Sequence, residues 1–451
     1  MASRLALVAI LLLGLGLRVG EAWDGREPVY DAQAYAAIAA NLSEGDGFTV
    51  GAQATQPSSN YSPGLPLFVA GVYRVTGGVH ERLARVALAV IGALSVLFAY
   101  LVGRRLERAL NQPRSSEVGS APWPALVGAA AVAVYPALLE YQGMLMSEPL
   151  AGTLLSGGVL AALWAWDGDW ARWLLPGALF GALALVRPEY LGVAVLVAAV
   201  IAARESKGDW RSSLLRAAVF LGALAVIVLP WTIRNAVALD RVVPISTGGG
   251  QVLFAGTYLP SDGDPEKVGA EVVAENPDQF QSRDAQKLRL EQILARLAAA
   301  RYPSMETDQA LSKMGKEQLW DGVSEEPLDY AGFVAKKIWR IWLHGPRDVM
   351  REPGWEVLHW ALVTLGLLGL ALLAWRRRWE ALLIGVIFLA ITAISALLVA
   401  SPRRVLVLVP LLAALAAPAL DWVTGRLVSY GGYSPHNSPN VPERRDSLSP
   451  P

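Results

Sequence analysis

The chain of 451 residues is 54% hydrophobic and 17% charged, well short of the roughly 25% charged residues of a soluble globular domain, and that deficit points to a membrane. Its 39 basic and 39 acidic residues cancel, so no overall field favours nucleic acid or an acidic partner. The absence of cysteine excludes disulfides, thiol catalysis and cysteine-based zinc sites, and the four histidines, His80, His344, His359 and His436, are scattered with no pair at metal-ligand spacing.

Along the chain, about ten apolar segments fall near residues 4–20, 84–103, 123–140, 148–166, 172–187, 189–204, 214–233, 356–375, 380–400 and 403–422. Several approach the ~20 residues that span a hydrocarbon core. The first reads either as a span or as a signal peptide, since Ser3-Arg4 precedes a short apolar run. The fifth and sixth are short and are separated by Arg187-Pro188-Glu189, so they form either two spans or a shallow hairpin. One set of connections carries Arg104, Arg105, Arg108 and Arg114, then Arg172, then Arg204, Lys207, Arg211 and Arg216, then Arg376, Arg377 and Arg378. The positive-inside tendency makes this set cytoplasmic and puts the other loops outside.

The first outer loop begins a helical pattern in which Asp31, Tyr35, Ile38 and Leu42 fall at i, i+4, i+7 and i+11. The carboxylate therefore heads the apolar stripe, where a surface helix normally carries no acid. It serves either as a reactive group facing whatever the stripe packs on or as a helix cap. Further on, Ser147-Glu148-Pro149 starts the fourth span with an acid in its first turn. Arg187, Arg234, Arg403 and Arg404 stand at outer span ends, against the charge rule. They read as an anion-binding surface, with lipid-headgroup contacts as the alternative. Pro244-Ile245-Ser246-Thr247-Gly248-Gly249-Gly250 follows, and its glycines let backbone amides approach a ligand closely, unless the run is simply a flexible loop. Arg283 to Arg301 reads as a helix, with Leu288, Ile293, Leu294 and Leu297 as its apolar side. The run DYAGFVAKKIWRIWLHG, with Lys336, Lys337 and Arg340 beside Trp339 and Trp342, suits a helix lying in the interface. The tail from Tyr430 has the composition of a disordered segment.

The order of these features resembles the GT-C glycosyltransferases of the protein O-mannosyltransferase and aminoarabinose-transferase type. The matching pieces are Asp31 with Tyr35, Ala39-Ala40-Asn41-Leu42 followed by Gly45-Asp46-Gly47-Phe48, and Tyr61-Ser62-Pro63-Gly64-Leu65-Pro66-Leu67. To these are added Ser147-Glu148-Pro149-Leu150, Leu185-Val186-Arg187-Pro188, Pro230-Trp231-Thr232-Ile233-Arg234-Asn235, Pro244 to Gly256 ending in Phe254-Ala255-Gly256, and Arg403-Arg404. Two departures stand out. Many relatives follow the first acid with Glu where this chain has Ala32, and the loop from about Thr257 to Asp329 matches no pattern of the family.

The resemblance implies an all-α polytopic membrane protein, a GT-C-like bundle of about ten transmembrane helices with juxtamembrane helices on its outer face. Its expected organisation is a transmembrane module over 1–235 with a first outer loop at 21–80, an extracytoplasmic cap over 236–355, closing helices over 356–424 and a disordered cytoplasmic tail over 425–451. It implies a plasma-membrane transferase that moves a sugar from a polyprenyl-phosphate donor to an extracytoplasmic acceptor hydroxyl, with membrane lipids as its other partners. Asp31 is the expected base, with Glu148 orienting the acceptor or sharing that role. Arg187, Arg234, Arg403 and Arg404 are expected on the donor phosphate, and Tyr35, Tyr61, Asn235, Gly249 and Gly250 in the substrate pocket. Neither a cofactor nor a metal is required by this scheme. The rival reading from another class is a polytopic transporter or flippase for a lipid-linked saccharide, which would favour ionisable groups at mid-membrane and repeated halves.

Overall fold

A computed structural model of the chain describes residues 1–25, 28, 31–50, 57–111, 122–204, 210–280 and 288–431, with residues 426–431 described by backbone alone. Among these residues all regular structure is helical. In chain order the helices are α1 (Ala2–Asp24), α2 (Asp31–Glu44), α3 (Gly64–Thr76), α4 (Glu81–Asn111), α5 (Trp123–Val134), α6 (Pro136–Glu140), α7 (Glu148–Ala165), α8 (Leu174–Val186) and α9 (Glu189–Ala203). They continue as α10 (Trp210–Leu239), α11 (Gly249–Thr257), α12 (Val268–Glu275), α13 (Leu290–Arg301), α14 (Thr307–Glu325), α15 (Pro327–Leu343), α16 (Pro353–Trp375), α17 (Trp379–Leu397) and α18 (Arg403–Gly431).

Among the described residues seven helices, α1, α4, α7, α10, α16, α17 and α18, are long and apolar enough to cross a membrane. The pair α5–α6, bent by 47°, adds an eighth when it counts as one span. The short fifth and sixth apolar segments become α8 and α9, of 13 and 15 residues. At 1.5 Å per residue each is roughly 20 Å long, less than the ~30 Å hydrocarbon core. Near Leu290 the helix read from Arg283 starts later than its apolar pattern suggested, with residues 283–287 outside the described part of the chain. Arg114, Lys207 and the tail beyond Gly431 also lie outside it, and α18 itself runs past residue 424.

Two helices form the centre of the bundle. The apolar windows of α7 and α18 are each 83% buried, against 17% for α1 and 28% for α10, which face the surroundings. Glycine lets neighbours approach α18 closely: a Cβ on Gly369 of α16 would stand 1.9 Å from the Leu415 carbonyl, and one on Gly128 of α5 2.4 Å from that of Ala413. Close backbone approach is how helices associate where lipid gives them no hydrophobic drive.

The bend between α5 and α6 comes from Pro136, which has no amide to give the Val132 carbonyl one turn earlier. Arg18 of α1 supplies the missing donors. Its guanidinium lies 2.8 Å from the Val132 carbonyl, 3.0 Å from that of Ala133 and 3.1 Å from that of Gly14. The two terminal nitrogens of a buried arginine within a span are thereby engaged by backbone, and α1 is pinned to α5.

A second apolar core covers the bundle at the Asp31 end, built from Phe254, Tyr258, Val268, Val272, Ile293, Leu294, Leu297, Leu311 and Met314 of α11 to α14. Beside it α15 presents an amphipathic face, with Trp339 exposed and Lys337 buried. At the opposite end of the bundle Arg105 pairs with Asp167 at 2.8 Å, and Arg204 stacks on Trp166 and Trp379 at 4.5 and 4.6 Å.

Candidate functional site

The starts of α7 and α18 bring Glu148, Arg403 and Arg404 to one point, and the first residue of α2 brings Asp31 beside them. The Arg187-Pro188-Glu189 break between α8 and α9 completes the group. Arg403 Nη1 lies 3.1 Å from Asp31 Oδ2, and its Nε lies 2.6 Å from Glu148 Oε1. Glu148 Oε1 also meets Arg187 Nη1 at 3.3 Å, Arg187 Nε meets Glu189 Oε1 at 3.0 Å, and Arg404 Nε stands 3.8 Å from the same Glu189 oxygen. The result is an alternating chain of three carboxylates and three guanidiniums, ordered Asp31, Arg403, Glu148, Arg187, Glu189, Arg404.

The members differ in exposure. Glu148 is completely buried, whereas the Asp31 side chain is 42% exposed at the open end of the chain of charges. Glu148 in the first turn of α7 suits that helix's dipole, but two arginines at the start of α18 oppose theirs, so the carboxylates are what hold them there. The cavity in front of these groups has a volume of about 460 Å³ and is also lined by Tyr35, Ser62, Gln251, Val252, Leu290 and Ser401. Tyr35 meets Tyr61 edge to face at 5.6 Å. Burial and the nearby Asp31 and Glu148 charges raise the Tyr35 hydroxyl above the usual tyrosine range. Burial, with Glu291 and Asp31, pushes Tyr61 up to about 12, so both rings stay neutral hydrogen-bonding groups.

The side-chain hydrogen bond that the described residues give Asp31 is with Arg403, not with a backbone amide of α2. Of the other residues expected at the pocket, Arg187, Arg403 and Arg404 line the cavity together with Tyr35, and Tyr61 stands behind Tyr35. Arg234, Asn235, Gly249 and Gly250 are not among its lining residues. Arg234 donates to the carbonyls of Ser58 (2.9 Å) and Phe48 (3.3 Å) and stacks on Phe48 and Trp231. Buried Asn235 donates to the carbonyls of Val243 and Ile245, both at 3.0 Å. Their motif is a staple that joins the first loop to the segment before α11. Gly250 packs against α14, where its amide reaches Asp308 Oδ1 at 2.9 Å and a Cβ would strike the Asp308 carbonyl.

Near the site, Tyr141 escaped the reading of the sequence, and Lys337, read there as part of an interfacial helix, takes a buried role which that reading did not give it. Tyr141 lies between the guanidiniums of Arg403 and Arg347, 5.9 and 5.6 Å from its ring centre. No local pattern marks it, because the partners come from distant parts of the chain. Lys337 is buried and donates to the carbonyls of Gly256 (2.6 Å) and Ala396 (2.5 Å), tying α15 to α11 and α17 just before the turn into Arg403. It sits four residues from both Phe333 and Ile341, so a charge on an apolar stripe, the signal that marks Asp31, marks it too. Among the described residues no group of three or more His, Asp or Glu side chains is arranged to hold a metal ion, and each carboxylate at the cavity already pairs with arginine.

The helical bundle and the layer that covers it have a fold similar to that of a solved archaeal membrane protein. Among solved structures the chain is similar to the oligosaccharyltransferase AglB of the archaeon Archaeoglobus fulgidus in complex with an inhibitory peptide and a dolichol-phosphate. The TM-score is 0.54 at 17% identity, over 98% of this chain and 52% of that one. The apo form of an oligosaccharyltransferase from Archaeoglobus fulgidus gives 0.55 at 16% identity, over 94% and 51%. The chain therefore spans about half the length of that enzyme. ArnT from Cupriavidus metallidurans bound to undecaprenyl phosphate, covered over 81% of its length and 96% of this chain at 16% identity, gives 0.40, too loose a likeness to argue from. No family model matches the sequence, and no curated protein matches it.

Proposed function

We propose that this chain is a membrane glycosyltransferase that moves a sugar from a polyprenyl-phosphate donor to an acceptor hydroxyl on the extracytoplasmic face, with inversion. The observation that carries the reading is one cavity in which a half-exposed carboxylate, Asp31, stands beside the guanidiniums of Arg403, Arg187 and Arg404. A base and an anion-binding surface are the two components that such a transfer needs. Asp31 accepts the proton of the acceptor hydroxyl as its oxygen attacks the anomeric carbon. The bond from that carbon to the phosphate oxygen breaks, and the polyprenyl phosphate leaves with its added negative charge against Arg403 and Arg404. A single displacement of this kind inverts the anomeric centre, through a transition state of oxocarbenium character. Glu148, buried and shared by two guanidiniums, is better suited to hold them in place than to take a proton.

Activation that arrives in the donor itself suits a face of the membrane without nucleotide sugars, and a donor with a lipid tail approaches through the bilayer. The dolichol-phosphate held by the archaeal oligosaccharyltransferase supports a lipid phosphate as the donor's leaving group. The basic connections at the far end of the bundle support the extracytoplasmic assignment. The deciding experiment measures transfer and thermal stability for the parent, Asp31→Asn and Asp31→Ala with polyprenyl-phosphate sugars. Asparagine preserves shape and capping but takes no proton at neutral pH, so a base at Asp31 predicts a loss of roughly 10²-fold or more with the fold intact. Near-normal transfer by Asp31→Asn would remove Asp31 from the chemistry.

A further inference from the structure

The alternating charges at the cavity have a consequence for how an anion enters, if the site takes a lipid phosphate as proposed above. Three guanidiniums and three carboxylates leave the chain of ion pairs without net charge, so a phosphate meets no unbalanced cation. Arg404 is only loosely paired, 3.8 Å from Glu189, but a phosphate reaches Arg403 only by displacing a carboxylate. The carboxylates differ in how firmly they are held. Glu148 is completely buried and shared by Arg403 and Arg187, and Glu189 is shared by Arg187 and Arg404. Asp31 sits at the open end with Arg403 as its one ion-pair partner among the described residues, at 3.1 Å. Releasing Glu148 would strand a charge in the interior, whereas releasing Asp31 returns a carboxylate to the cavity and its solvent.

We propose that Arg403 is exchanged between Asp31 and the donor phosphate, so that binding of the donor is what frees the base. Before the donor arrives, Arg403 Nη1 holds Asp31 Oδ2 at 3.1 Å, so the carboxylate is turned to the guanidinium and not to the acceptor. When the phosphate takes the Nη1 side of Arg403, Nε stays on Glu148 and the guanidinium keeps its place. Asp31 is then left without its counter-ion beside the acceptor. The site is thus idle towards the acceptor alone, and the phosphate that will become the leaving group arms the base. No atom changes hands in this step: one charge-assisted hydrogen bond is replaced by another.

The exchange makes a prediction opposite to that of a simple binding role for Asp31. If the carboxylate competes with phosphate for Arg403, its removal tightens binding. The experiment titrates the full-length chain in lipid nanodiscs with undecaprenyl monophosphate, and separately with inorganic phosphate, for the parent, Asp31→Asn, Asp31→Ala and Asp31→Glu. Loss of the competing charge in the Asn and Ala variants is expected to lower Kd for the lipid phosphate by about tenfold, while Glu, which keeps the competitor, stays near the parent. The same ranking with inorganic phosphate assigns the effect to the phosphoryl group, and a ranking seen only with the lipid form assigns the competition to a phosphate held in place by its tail. Equal or weaker binding of the lipid phosphate by both Asn and Ala overturns the exchange and leaves the glycosyltransferase reading standing. Absence of lipid-phosphate binding in the parent and in all three variants overturns both.

Discussion

Arg18 and Arg403 are both guanidiniums held inside a helical bundle, and they are held in different ways. Arg18 reaches three backbone carbonyls, two of them at the Pro136 bend. Those acceptors belong to the main chain of the two helices it joins and cannot turn away, so the arginine acts as a clasp. Arg403 is held by two carboxylates, of which one is buried and the other half exposed at a cavity. Side-chain acceptors can rotate and be replaced. Arg234 and Lys337 fall with Arg18, since carbonyls of Ser58 and Phe48 take the first and those of Gly256 and Ala396 the second. Arg187 falls with Arg403, and Arg404, which donates to the Val399 carbonyl and faces Glu189 at 3.8 Å, has one partner of each kind. In this chain the kind of partner, more than the position of the cation, separates structural cations from those free to serve a ligand.

The comparison can be broken most sharply at Arg403. Arg403→Ala leaves Glu148 buried with one arginine where it had two and strips Asp31 of its partner, and a broken buried pair costs about 3–5 kcal/mol. Transfer is expected to fall by roughly 10²-fold or more. Arg403→Lys is expected to recover little of it, because an ammonium does not reproduce the guanidinium's fixed fork between two carboxylates. Assays at saturating lipid donor, paired with thermal melts, separate the loss of chemistry from the loss of fold.

Arg18→Met is expected to act on stability. It leaves buried carbonyls of Val132 and Ala133 without their donor, at about 1–3 kcal/mol each. Melting in detergent should shift down, while turnover per folded molecule changes little. A selective loss of turnover with unchanged melting would put Arg18 in the other class.

Arg234→Ala removes two ties between the end of α10 and the first loop, a cost of about 1–3 kcal/mol. It is expected to loosen the wall formed by Tyr61 and Ser62 and so raise KM for the acceptor more than it lowers kcat. If Arg234 instead held the donor phosphate, its loss would weaken binding of the lipid phosphate as much as Arg403→Ala does.

A pH dependence of stability is expected at Lys337. Burial, with the Arg404 charge nearby, brings its ammonium down to about 7 from the usual lysine range near 10.5. Between those values the unfolded chain binds more protons than the folded one, so stability rises with pH from about 7 towards 10.5. Melts across that window should show the rise in the parent and a flatter profile in Lys337→Met.

Legibility in the sequence followed the range of the interaction. The ten apolar stretches all became helical, because burial in lipid favours apolar runs whose backbone bonds close within the segment, a local property; the exception is the Pro136 break, whose carbonyls Arg18 closes from another helix. Asp31 was visible for a similar reason, as a charge in register with Tyr35, Ile38 and Leu42, and Lys337 carries the same mark beside Phe333 and Ile341. The grouping of the outer arginines was not legible. Arg187, Arg234 and Arg403 look alike as basic residues at span ends, and their difference lies in partners that stand tens to hundreds of positions away. Arg234 ends on Ser58 and Phe48, and Arg403 on Asp31 and Glu148. The sequence by itself determined that the chain is a helical membrane protein with acids and arginines at one end of its spans. The tertiary structure decided which of them form an alternating chain around a cavity and which fasten loops, because hydrogen-bond partners are chosen by the packing of α2, α7 and α18 against one another, and nothing local encodes that contact.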